Sequence, residues 1–171
     1  MTDLQTKLKN AGRLEAITKH IGFTLWQIQA LEDATAQHYV LVALATRGMG
    51  IEAGKKLDES VKGNTFGKTI NALRKADKMP EAVEQRFVNL LKERNWLVHS
   101  SRATNRNAIY DDKTCHLLLD RLEKLAEESR QLLKEIGNAS QKFVMGHGVS
   151  KQEVERLTKQ VLNSWHSGAE E

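Results

Sequence analysis

The stretch "LLKERNWLVHSS", Leu90 to Ser101, decides how this chain is read. Set on a helix at 100° per residue, Val83, Phe87, Leu90, Leu91, Leu97 and Val98 share one arc, the side that the rest of the protein must cover. Arg94 falls in the middle of that arc. A guanidinium does not shed its proton, and burying it unpaired costs on the order of several kcal/mol, so an acidic partner is expected. On an earlier helix Glu32 lies among Leu25, Ile28, Ala36 and Tyr39 and is the only full charge of that stripe. The two wheels predict a Glu32–Arg94 contact within one chain.

His99 is placed differently. It shares a face with Asn95 at i, i+4 and lies roughly 140° from Arg94 around the helix axis, so Asn95 and His99 point away from the core. Within one chain Arg94 and His99 therefore do not converge naturally, although a long arginine side chain can bend toward the edge of the stripe. A two-fold dimer would supply the missing partner, because the same helix of a second copy brings another Arg, Asn and His to a shared cleft.

Working outward, the apolar spacing is helical throughout. Leu4, Leu8, Ala11, Leu14, Ile17 and Ile21 mark a first helix that Gly22 is expected to end, and a second runs from Thr24 to about Arg47, stopped by "RGMG". A short helical piece, Ala53 to Val61, sits in a glycine-rich connection. A further helix spans Thr65 to about Lys78, and the next opens with Pro80 in its first turn and ends near Ser101. "SRATNRNAIY" lacks apolar periodicity and reads as a loop. Asp111 is placed to cap a long helix reaching about Val144, with Gly137-Asn138 as a break. Ser150-Lys151-Gln152-Glu153 is a capping box that opens the last helix, about 150–166. The expectation is one all-α domain over 1–171, an antiparallel helical bundle of five to six helices with its core at about 20–146.

Composition agrees with that class: 40% hydrophobic and 28% charged residues with a single proline favour helices over strands. The net charge of +4 suits a polyanionic partner without demanding one. The lone Cys115 makes no intrachain disulfide, and no run approaches the roughly 20 apolar residues that span a bilayer, so the expected setting is the cytoplasm, away from membranes.

The residues Arg94-Asn95-Trp96-Leu97-Val98-His99 resemble the R-x(4–6)-H signature of the HEPN superfamily, in which a polar residue, often asparagine, follows the arginine. The long helices before it, the "TFGKTINAL" helix entry and the long helix after it resemble small bacterial HEPN proteins over roughly residues 20–140. That resemblance implies a homodimeric helical bundle that cuts RNA without a metal or cofactor. His99 would be the general acid or base at a ribose 2′-hydroxyl or the leaving 5′-oxygen. Arg94 would stabilise charge on the phosphate, and Asn95 would orient it. The products would carry a 2′,3′-cyclic phosphate and a 5′-hydroxyl. The implied role is toxin or effector of a bacterial toxin–antitoxin or antiphage defence system, with an antitoxin or other defence protein as partner. Toxins of the HepT kind carry a tyrosine two residues after the histidine; here that position is Ser101, which argues against control by tyrosine modification. Some HEPN members have lost nuclease activity, so the alternative is a non-catalytic helical dimer that binds RNA or protein.

The chemistry suits the assignment. Imidazole both gives and takes protons near neutral pH, guanidinium offers phosphate a planar fork, and the nucleophile is already in the substrate. Around the motif, Trp96 is a candidate base-stacking or packing residue. Arg102 and Arg106 are candidate phosphate contacts or solvated loop charges. Other signals are weaker. "GNTFGKT", Gly63 to Thr69, has one residue too few for a phosphate-binding P-loop and follows a charged helix, so Gly67 is read as permitting close helix packing. Cys115-His116 beside Asp111-Asp112 diverge on a helix and read as an ordinary helix start, not metal ligands.

Overall fold

One helix, α1 (Asp3–Tyr39), runs through Gly22, where the spacing predicts a stop. The structure is a computed structural model that describes the backbone of residues 2–79 and 81–167, with side chains described except at 81, 82, 166 and 167. Gly22 faces open solvent and keeps a negative φ. Among the described residues the glycines at positive φ are Gly48, Gly50 and Gly148, all between helices. A glycine inside a helix costs about 1 kcal/mol, whereas each aliphatic side chain fully buried contributes roughly 1.5–3 kcal/mol. Ile17 on one side of Gly22 and Ile28 and Leu31 on the other are buried, so packing outweighs the local preference.

Beyond Tyr39 the chain forms a π-helical segment, Val40–Leu44, then turns through Gly48 and Gly50 into α2 (Ile51–Lys62). There follow α3 (Phe66–Lys75), α4 (Glu81–His99), α5 (Ser101–Thr104), a 3-10 turn (Arg106–Ile109), α6 (Asp112–Gly146) and α7 (Lys151–Ser167). No strand occurs among the described residues, and no described helix is long and apolar enough to cross a membrane. Pro80, expected in the first turn of α4, lies outside the described residues.

Two helix starts form the expected N-cap bond, although no bond from the Ser150 N–H to Glu153 completes the capping box among the described residues. The Asp111 carboxylate accepts the Thr114 N–H at 2.7 Å, and the Ser150 hydroxyl accepts the Glu153 N–H at 3.2 Å. The Glu153 carboxylate pairs with Arg156, at 2.7 and 2.9 Å. Gly137-Asn138 do not break α6, for the reason given for Gly22: Ile136 and Leu132 beside them are buried. The segment 101–110 is helical turn and 3-10 turn, not open loop. Its order comes from polar bonds that apolar periodicity does not register: Ser101 Oγ donates to Leu97 O at 2.6 Å, and Asn105 Nδ2 donates to Ser101 O at 2.9 Å.

Three long helices meet around the core, and their directions differ from the antiparallel expectation. Arg13 pairs with Asp112, Thr24 Oγ1 donates to Leu122 O at 3.2 Å, and His38 Nδ1 lies 2.8 Å from Ser140 Oγ. Both numbers of each pair rise together, so α1 and α6 run parallel. On α4 the order reverses: Glu93 holds Arg121, while Arg86 holds Glu128 at 2.7 Å and also Glu135. Helix α4 is therefore antiparallel to α6. The chain returns through α4 between its two longest helices, which is why those two share a direction. Phe87, Leu90 and Leu97 of α4 enter the core, with Phe66 of α3 edge-on to Phe87 at 5.9 Å. Val98 is the exception on the expected arc, since it stands 47% exposed. Helix α2 rests Val61 and Leu57 on Ala36 and Val40 as a separate small cluster.

His38 is a buried titratable group near the end of α1, and burial holds its pKa below the ordinary histidine value. Lys78, Glu135 and Lys142 line the same cavity. In the unfolded chain His38 takes up a proton below about pH 6.5, whereas in the folded chain it resists doing so. Its contribution is therefore intact above that pH and declines as the pH falls through it. Denaturant titrations at pH 7.5 and 5.0 are expected to show a smaller acid-side loss of stability for His38→Gln than for the wild type. Equal losses would contradict this account.

Candidate functional site

Arg94 projects from α4 toward α1, where its Nε donates to Glu32 Oε1 at 3.1 Å. The predicted intrachain pair is thus formed. It is only half-buried, with 31% of the arginine side chain and 26% of the glutamate side chain exposed. The contact is monodentate. Neither Nη group of Arg94 has a hydrogen-bond partner among the described residues, so the outer edge of the guanidinium is free. An arginine whose sole job is to neutralise a buried carboxylate gains most from a two-pronged contact. This one is steadied by one prong and leaves the other available.

Arg94 lines a polar cleft of about 330 Å³ with Glu32, Asn64, Thr65, Gly67 and Asn95, and with the apolar Phe66 and Leu91. Asn95 is exposed and lines the cleft beside Arg94. The far wall is the start of α3. Its N-cap, Thr65, makes no side-chain capping bond, and no acidic residue occupies the first turn. Unpaired N–H groups and the positive end of a helix dipole favour an anion at that position. Gly67 is what brings α3 this close: a Cβ there would stand 3.2 Å from Leu91 Cδ2 on α4. Close packing is the role expected of Gly67. The part that Asn64 and Thr65 play in the cleft carries no apolar period or charge by which the sequence could reveal it.

His99 does not line this cleft. It sits exposed in the last turn of α4, with no hydrogen-bond partner among the described residues. The single chain thus brings together Arg94, Asn95 and Glu32 and leaves His99 one and a half turns away. Trp96 is committed to packing. The Arg121 guanidinium lies 3.3 Å from its ring centroid, and its indole N–H donates to Thr104 Oγ1 at 3.1 Å. Arg121 is itself held by both oxygens of Glu93 at 2.7 and 2.9 Å, so one face of the indole is closed to a stacking base. Arg102 and Arg106 are exposed beyond His99, on α5 and the 3-10 turn, without an ion pair among the described residues.

Two further histidines serve local structure. His116 Nδ1 lies 2.7 Å from Asp112 O, and His147 packs on Phe143 with ring centroids 4.2 Å apart. Cys115 is buried while His116 is exposed, as their adjacency on a helix requires. Among the described residues no three of His, Cys, Asp and Glu converge. No protein-family model, curated protein or solved structure matches the chain.

Proposed function

We propose that the chain is an endoribonuclease of the HEPN kind. It acts as a homodimeric helical bundle in the cytoplasm and needs no metal, as the effector of a toxin–antitoxin or antiphage system. The observation that carries this reading is Arg94, bonded through Nε alone, in the lining of a polar cleft that also holds Asn95 and an uncapped helix start. These groups suit the non-bridging oxygens of a phosphodiester. The reaction is an internal transfer: the ribose 2′-oxygen attacks phosphorus, the bond to the 5′-oxygen breaks, and a 2′,3′-cyclic phosphate and a 5′-hydroxyl result. An imidazole removes the 2′-hydroxyl proton or supplies one to the departing oxygen. In this reading His99 of a second copy faces the Arg94 cleft, because His99 of the same chain points elsewhere.

The purified protein incubated with RNA in EDTA is expected to give cyclic-phosphate and 5′-hydroxyl ends and to leave an all-2′-deoxy substrate intact. Cleavage that needs added magnesium, or that spares no deoxy substrate, would remove the proposal. The second reading is a non-catalytic dimer that binds RNA or protein. It is favoured by the packing of Trp96 under Arg121, which removes one expected contact to substrate. RNA retention without cleavage under the same conditions would select it.

A further inference from the structure

The net charge of the chain is concentrated in one segment. Residues 47–78 hold eight of the 26 basic residues and four of the 22 acidic ones, so they carry all of the +4; the rest of the chain balances 18 against 18. This segment comprises α2 and α3, and its middle, Asn64 to Gly67, is the far wall of the Arg94 cleft.

Within the segment the cations are of two kinds. Lys55, Lys62 and Arg74 are held by Glu52, Asp58 and Glu84. The other five, Arg47, Lys56, Lys68, Lys75 and Lys78, have no ion pair among the described residues and are exposed; of these, Lys68 and Lys75 lie on α3. They stand seven residues apart on α3, so they share one face about 10 Å long. That face lies opposite the buried side formed by Phe66, Thr69, Ile70 and Leu73. Lys68 also sits in the first turn of α3, where the helix dipole disfavours a cation and nothing acidic offsets it. Two uncompensated lysines in a row whose first member follows Gly67 of the cleft lining form a surface suited to successive phosphates.

We infer that the outer face of α3, through Lys68 and Lys75, is the docking surface for the phosphate backbone of single-stranded RNA leading out of the Arg94 cleft. This assigns the substrate path to α3 instead of the Arg102–Arg106 side of the molecule. A flexible strand follows such a row through its backbone, independent of sequence. The inference rests on the reading of Arg94 as a phosphate-holding residue.

The test is fluorescence anisotropy with a labelled 20-nucleotide 2′-fluoro oligouridylate, which lacks the attacking hydroxyl and so reports binding apart from cleavage. Against wild type, the K68E/K75E variant is expected to bind at least about tenfold more weakly at 50 mM salt. Its slope of log affinity on log salt should be shallower by about 1.4, the value for two phosphate contacts to a single strand. R102E/R106E should stay within about threefold of wild type. K68Q/K75Q should shift in the same direction as K68E/K75E, and circular dichroism checks that each variant is folded. The inference is overturned if K68E/K75E binds within threefold of wild type, if R102E/R106E loses more, or if wild type does not bind. Cleavage is scored separately on ordinary RNA: an inactive protein that keeps this binding pattern ends the nuclease reading and leaves the docking surface standing.

Discussion

His99→Ala is expected to lower the rate of RNA cleavage by about 10²–10⁴-fold, the usual contribution of a positioned general acid or base. The fold should be untouched. His99 is exposed and has no hydrogen-bond partner among the described residues; its stabilising role is at most that of a cation in the last turn of α4, about 0.3–1 kcal/mol. Activity and stability therefore separate cleanly at this position. The comparison is single-turnover cleavage in EDTA beside thermal melts of the two proteins. Cleavage by His99→Ala at the wild-type rate would remove the imidazole from the mechanism.

The second large effect is expected at Arg94. Removing one preorganised donor from a developing oxyanion typically costs about 10²–10³ in rate, so Arg94→Ala should fall by that amount. Arg94→Lys should recover little of it, since an ammonium keeps the charge but not the planar fork that reaches Glu32 and phosphate together. The stability cost should be modest. Both members of the pair retain roughly a third to a quarter of their side-chain exposure, so water screens the carboxylate left behind, and an ion pair of this kind is worth about 0–1 kcal/mol. Glu32→Gln should weaken cleavage less than Arg94→Ala, because it loosens the guanidinium without removing it. A loss of several kcal/mol in Arg94→Ala with cleavage intact would mean that the pair is purely structural.

Much of the fold is legible in the sequence where apolar spacing and caps act locally. The helical stripes, the Asp111 cap and the inward pairing of Glu32 with Arg94 all follow from wheels and side-chain chemistry. What escapes is what other elements decide. Gly22 reads as a stop because its own preference is weak, yet Ile17 and Ile28 on either side bury against the rest of the protein and carry α1 through it. The π-helical segment Val40–Leu44 leaves no mark in the apolar spacing. The parallel run of α1 and α6 depends on α4 carrying the chain back before α6 begins, which no local pattern encodes. The same limit applies to the site. Arg94, Asn95 and His99 announce themselves by type and spacing, whereas Asn64 and Thr65 join the cleft through the packing of Gly67 against Leu91.

The central claim is that an Arg94 and a His99 from different chains act on one phosphodiester, and mixing the two inactive variants tests it directly. Arg94→Ala and His99→Ala, unfolded together and refolded as a mixture, form dimers of which about half contain one chain of each kind. Those dimers keep one guanidinium and one imidazole on opposite chains, so RNA cleavage in the mixture should rise well above that of either protein alone, each of which is slowed at least about 100-fold. A mixture that contains the mixed dimer and stays as inactive as its parts would contradict the account.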